Sequence, residues 1–241
     1  MIMEIYYKYQ PVTWRMGIIN ALPNEVVNVI QPLYMPDDTL QGIFSGKENI
    51  DKVFSDFTPL GPANKFLLIE TQDFRTALFA NTLFGSVELP TWYAAGNLIT
   101  YAYYICNVPN TISRDQRTGA YGARILEYRT PETPFNQEPK FGIHLINDAG
   151  RWCFYRYGEK QPFENESAYK SYRKTDRFTE EMLVKYCLGL GIPVYDRNFY
   201  SDKYILIEQK LKPGEKGLTY EEAAVKLRIK QDNRQSEIIF P

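Results

Sequence analysis

The only histidine, His144, and one of three cysteines, Cys153, flank the tetrad Asn147-Asp148-Ala149-Gly150. The segments FGIHLI and RWCFYRY on either side are rich in aromatic and β-branched residues, so residues 141–157 predict a β-hairpin. With Asp148 and Ala149 at the tip of the turn, Phe141 pairs with Arg156, Ile143 with Phe154, and Leu145 with Trp152. On the other face His144 meets Cys153 and Ile146 meets Arg151, because side chains alternate along a strand. A Cys–His pair is the minimum for a thiol nucleophile, with the imidazole taking the thiol proton. The plainer reading is two mid-strand neighbours that pack, since no Asn or Asp follows in the pattern to orient the ring. The face carrying Leu145 and Trp152 is almost wholly apolar and is expected in the core. On that register, losing the Trp152 ring should cost about 3–5 kcal/mol.

Carboxylates are the other reactive type. The chain has 29 acidic residues, and sequence does not select a pair of them for acid–base work. Five cluster near the start: Asp37, Asp38, Glu48, Asp51 and Asp56. They fall on predicted loops and on the polar side of a predicted helix, in a segment more acidic than the rest. We read them as residues that contact a basic protein partner, for which an acidic face gives electrostatic steering. Solvation of a helical lobe explains them equally well. Asp73 with Arg75, and Asp115 with Arg114 and Arg117, read as solvated loop charges.

Several chemistries find no support. No P-loop or GxSxG is present, and Gly189-Leu190-Gly191 ends a predicted helix instead of opening one. A net charge of −1 argues against general nucleic-acid binding. The odd, scattered cysteines lack a CxxC, which disfavours a disulfide framework or a zinc site. No catalytic residue, metal or cofactor is assigned. The first residues lack a signal-peptide pattern, and no run approaches the ~20 apolar residues of a membrane helix, so no membrane association is expected. A cytoplasmic, reducing location follows as the expectation; oligomeric state is left open.

Residues 2–9 read as an opening strand. Short helices are expected from Thr13 through Ile19, from Asn24 between Pro23 and Pro32, and over 45–57. Residues 65–70 and 75–80 predict an antiparallel strand pair. Residues 88–100 predict a helix that buries Trp92, Ala95, Leu98 and Ile99, with Pro90 and Thr91 near its start. Strands follow at 101–108 and 121–128, then a proline-rich connection. After the hairpin come a polar helix at 164–174, packed through Tyr169 and Tyr172, and a helix capped by Thr179. A strand at 203–209 and a helix opened by the Thr219/Glu222 capping box complete the pattern. The tail past residue 231 should fray. The fold class is α+β: an antiparallel sheet built from hairpins with helices packed against it, and a helical N-terminal segment. A single domain over 1–241 is expected, with a helical sub-lobe at 11–57 ahead of a sheet-containing part at 64–230.

The run YKSYRKTDRFTEEMLVKYCLGLGIPVYDRNFY, together with the preceding GRWCFYRYGEKQPFE, resembles the tail of a bacterial family without an established activity. That family pairs a DRFT helix start with LGI and a D-x-x-F-Y ending, matched by Asp176, Arg177, Asp196, Phe199 and Tyr200. RTALFANTLFGS, from Arg75, extends the likeness. The resemblance implies a loose association with toxin–immunity loci, hence an immunity protein that neutralises a toxin by direct contact. Two other classes stand beside it: a hydrolase or transferase using carboxylates or the His144/Cys153 pair, and a structural protein.

Overall fold

Short apolar runs that cover both faces of a strand set the architecture. In the computed structural model, which describes residues 4–61, 65–112, 118–134 and 137–229, nine strands form one antiparallel sheet. They are β1 (Arg15–Ile19), β2 (Leu40–Lys47), β3 (Lys65–Thr71), β4 (Thr76–Ala80), β5 (Ala102–Val108), β6 (Ala123–Arg129), β7 (Phe141–Asp148), β8 (Arg151–Gly158) and β9 (Tyr200–Gln209). Their order across the sheet is β2-β9-β3-β4-β1-β5-β6-β7-β8. The helices are α1 (Glu4–Lys8), α2 (Pro23–Tyr34), α3 (Ile50–Ser55), α4 (Glu88–Leu98), α5 (Glu166–Tyr169), α6 (Glu180–Gly189) and α7 (Tyr220–Leu227). The protein is α+β, as its sequence pattern indicates.

Helices α2 and α4 pack together on one face. Tyr34 of α2 lies edge-on to Phe66, and Trp92 of α4 lies edge-on to Tyr104. The opposite face carries α1, α3, α6 and α7, with Phe54 against Phe79, Tyr220 bonded to the Phe54 carbonyl, and the Tyr6 hydroxyl bonded to the Asn107 carbonyl. Gly17, in the middle of β1, is what lets α4 sit close. A Cβ there would lie 1.9 Å from Thr91 Oγ1, a hydroxyl tied to the Val87 carbonyl at 2.6 Å.

The N-terminal segment departs most from the sequence reading. Residues 4–8 form a helix, not a strand. Residues 15–19 form the central strand β1, and residues 40–47 form the edge strand β2. A five-residue apolar run carries no decisive period, so burial on both sides of the sheet decides its form. The stretch 11–57 thus sends two strands into the same sheet as the rest. Only Ile50–Ser55 of the expected helix over 45–57 forms, with the Asn49 side chain accepting from the Asp51 amide. Pro32 does not bound α2, which runs through it to Tyr34. A proline in the last turn removes one donor only, which is why the helix tolerates it. The polar helix expected over 164–174 shrinks to the four residues of α5 and a 3-10 turn at Lys174–Asp176. Tyr172 there is 99% exposed, so no apolar stripe supports a longer helix. Ile99 likewise caps α4 in a left-handed conformation and stays exposed. The Thr179 cap of α6 and the Thr219/Glu222 box of α7 form as their residues predict. The tail past 231 lies outside the described residues.

The hairpin pairs β7 with β8, but two residues out of the expected register. Leu145 opposes Phe154, His144 opposes Tyr155, Ile146 opposes Cys153, and Trp152 opposes Asn147. Its tip is Ala149-Gly150, both with positive φ (47° and 97°), which is the two-residue turn whose twist suits a hairpin. The Gly150 amide donates to Asn147 Oδ1 at 2.7 Å. A shift of two preserves the faces. Phe141, Ile143 and Leu145 are fully buried, while Trp152 sits half-buried at the margin of the core.

Glu164 fastens the segment after β8. Its carboxylate takes two bonds from Arg156 (2.6 and 3.0 Å), one from the Gln161 amide (2.6 Å) and one from Tyr169 (3.0 Å). Burial alone would raise its pKa; Arg156 and the other donors outweigh that and hold it below the ordinary glutamate value. A carboxylate depressed in this way stabilises the fold above its unfolded pKa of about 4.3 and loses that contribution as pH falls through the folded value.

Four substitutions test this packing, each measurable by urea unfolding. Gly17→Ala should lose about 1–3 kcal/mol through overpacking against α4. Leu145→Ala should lose about 2–5 kcal/mol, and Trp152→Ala roughly half the 3–5 kcal/mol of a fully buried ring. Glu164→Gln should lose about 3 kcal/mol at pH 7, because Arg156 is left without its partner. Its deficit should shrink as pH falls through the depressed folded pKa of Glu164, where the wild-type carboxylate is itself protonated; a deficit unchanged over the whole acid range would assign the loss to packing instead.

Candidate functional site

His144 stands on the α4 face of the sheet, on a cross-strand row Arg15–Cys106–Ile125–His144–Tyr155. The next row is Tyr104–Glu127–Gly142–Tyr157. Gly142 leaves open the space into which Tyr157 leans, since a Cβ there would meet its ring at 2.3 Å. The Tyr157 hydroxyl therefore reaches Glu127 Oε1 at 2.6 Å, and His144 Nε2 meets the same oxygen at 2.8 Å. Glu127 is 4% exposed, so the two donors are what satisfy its carboxylate. Burial and the bond to Glu127 push the Tyr157 hydroxyl pKa well up. Burial first, and the Glu127 charge second, raise that of nearby Glu88.

This geometry corrects the expected thiol–imidazole pair. Cys153 opposes Ile146, its Sγ lies 3.9 Å from the Arg151 carbonyl and interacts with Tyr155, and the His144 ring is committed to Glu127. Cys153 is a diagonal neighbour of His144, a relation that places Cα atoms about 7–8 Å apart. Glu127–His144 has the form of an oriented base. It lies on an open sheet face and not in a cleft. Helix α4 covers that face as far as β5; beyond it Tyr155 is 56% exposed, and Ile125, Ile146, Cys153 and Tyr157 are half-exposed. Strand β8, at the sheet edge, borders the patch.

The five acidic residues do not make one surface. Asp37 and Asp38 precede β2, and Glu48 follows it, so the eight-residue strand holds them roughly 27 Å apart. Asp51 is largely occupied within the fold, by Lys8 at 2.7 Å, by the Tyr9 hydroxyl at 2.8 Å and by Arg197. Burial works against its ionisation, but those partners outweigh it and hold its pKa low. Asp56 pairs with Lys52 at 2.8 Å, and Asp37 accepts from Gln31 at 3.2 Å. Asp37, Asp38, Glu48 and Asp56 are exposed.

Sequence reading missed a cavity of about 600 Å³ on the other face of the sheet. Asn107 of β5 and Arg124 of β6 are directly opposed there. Glu180 opens α6, accepting from Asn107 Nδ2 at 2.7 Å on Oε1 and from the Tyr7 hydroxyl at 3.0 Å on Oε2. Gln10 closes the wall from beyond α1. These residues come from four distant parts of the chain, and only Glu180 carried a signal, as an acidic residue in a helix's first turn.

Among the described residues no group of three or more His, Cys, Asp or Glu side chains is placed to hold a metal, and no helix is long and apolar enough to cross a membrane. Compared with family models, curated proteins and solved structures, the chain matches none of them.

Proposed function

We propose that this chain is a cytoplasmic binding protein whose partner is another protein, docked on the outer face of β6, β7 and β8. The observation that carries the reading is the uncovered patch of Tyr155, Ile146, Ile125 and Tyr157 around His144, continuous with the free edge of β8. Tyrosines that are half wet and half packed suit recognition, and an edge strand offers unpaired backbone groups to an incoming strand. A partner with an exposed strand and apolar side chains would meet both. Three free cysteines fit a reducing compartment. Neutralisation of a toxin is the form of this function that the resemblance implies. An enzymatic role for Glu127–His144 would call for a cleft to hold substrate; an open face suits docking better.

A second docking reading rests on the β2 edge, where the Asp38 and Glu48 carboxylates are exposed and form no ion pair among the described residues. A basic partner would be captured there, faster at low salt.

Affinity capture from the native organism, then binding kinetics with each recovered protein, separates the two. Ile146→Asp with Tyr155→Asp should abolish binding of the cognate partner, while Asp37→Lys with Asp38→Lys should leave it intact. The reverse pattern, with association slowed by salt, would transfer the site to the acidic edge. Binding unaffected by either pair would reject both surfaces.

A further inference from the structure

We infer that the cavity between β5, β6 and α6 binds a small zwitterion, an amino acid or a short peptide, through Arg124 and Glu180. The site lies on the sheet face opposite the proposed docking patch, so either can fail without the other.

Among the described residues Arg124 carries a charge without a counter-ion in hydrogen-bonding contact. Its Nε is buried and bonds nothing, its one hydrogen bond is a long 3.4 Å one to the Phe178 carbonyl, and the Glu181 carboxylate acts on it only through space. A half-buried guanidinium of this kind has donors to spare for a carboxylate. Glu180 supplies the opposite charge. Each of its oxygens accepts one bond, from Tyr7 or Asn107, and each keeps lone-pair capacity for an ammonium group. The two side chains line one cavity yet do not pair, so a bridging ligand must bear both signs of charge.

Gln10 is the independent observation. It is 8% exposed and lines the same cavity, and its side-chain amide bonds nothing among the described residues. Its polar atoms are not sealed from solvent, so the amide is free to exchange water for a ligand. An amide both donates and accepts, which suits a carboxylate beside an amine or a peptide bond. The volume, about 600 Å³, lies within the range of small-molecule pockets. Pro109, Ile112 and Ile229 add an apolar wall for a side chain.

Calorimetric titration of the full chain with free L-amino acids and glycylglycine, beside their N-acetyl and methyl-ester forms, acetate and inorganic phosphate, tests this. A zwitterion should bind while its N-acetyl and ester forms bind about tenfold or more weakly, each having lost one charged contact. Arg124→Met should weaken binding by a similar factor. Gln10→Leu should weaken binding while leaving the melting temperature of the free protein little changed, since the amide faces the cavity's solvent; this arm stands even where Arg124→Met fails to fold. Acetate or phosphate binding as tightly as the zwitterion would overturn the two-charge site in favour of a simple anion site. No binding by any amino acid or dipeptide, or a Gln10→Leu protein that is less stable and binds unchanged, would overturn it altogether.

Discussion

The close approach of α4 to β1 is the constraint on which the structure depends. Strand β1 is five residues long and joins β2-β9-β3-β4 on one side to β5-β6-β7-β8 on the other within the sheet. Its neighbours reach it from both sides, with Ile18 between Ala77 and Tyr103. Gly17 leaves the space that Thr91 fills, so helix and strand pack backbone to side chain. A central strand this short has few ladder bonds of its own, and its stability comes from burial on both faces. Ile18 and Ile19 are fully enclosed.

Burial is unequal across the sheet, and polar chemistry collects where it changes. Under α2 and α4 the sheet face is apolar. At the margin of α4, Arg129 stacks over Trp92 and Glu127 holds His144 and Tyr157. Past that margin the face opens to solvent. A buried carboxylate held by two donors keeps the transition between covered and open sheet well ordered. On the opposite face Glu164 does a comparable job with Arg156, tying the chain after β8 back onto the strand.

Two places with different physics therefore offer function. The open face of β6 to β8 is broad, aromatic and shallow, suited to a macromolecule. The cavity beside α6 is recessed, polar and furnished with both signs of charge, suited to a small molecule. A ligand bound in the cavity would touch Arg124, whose cross-strand neighbour on β7 is Leu145 in the hairpin core.

Local signals were legible wherever a short segment carries its own reason to form. Thr179 and Thr219 announced their helices through capping, and KFLLIE and RTALFA announced β3 and β4 through apolar content and a tight intervening turn. The hairpin was legible as a hairpin, and its buried face with it, because alternation fixes faces. Its register was not, since the choice of turn tip among Asp148, Ala149 and Gly150 moves pairing by two without moving a side chain to the other face. RMGII reads as helical, and only the last three residues of LQGIFSGK enter a predicted element, a helix, because runs this short have no period of their own; only the strands beside them make them strands. The functional geometry was the least legible. His144 was noticed for being unique, but its partner Glu127 lies on another strand, and Gln10, Arg124 and Glu180 meet only after β5, β6 and α6 have docked. Sequence determined which segments fold locally and which faces they bury; tertiary packing alone decided which polar side chains share one volume, because proximity across a sheet depends on strand order, and strand order is not written in any single strand.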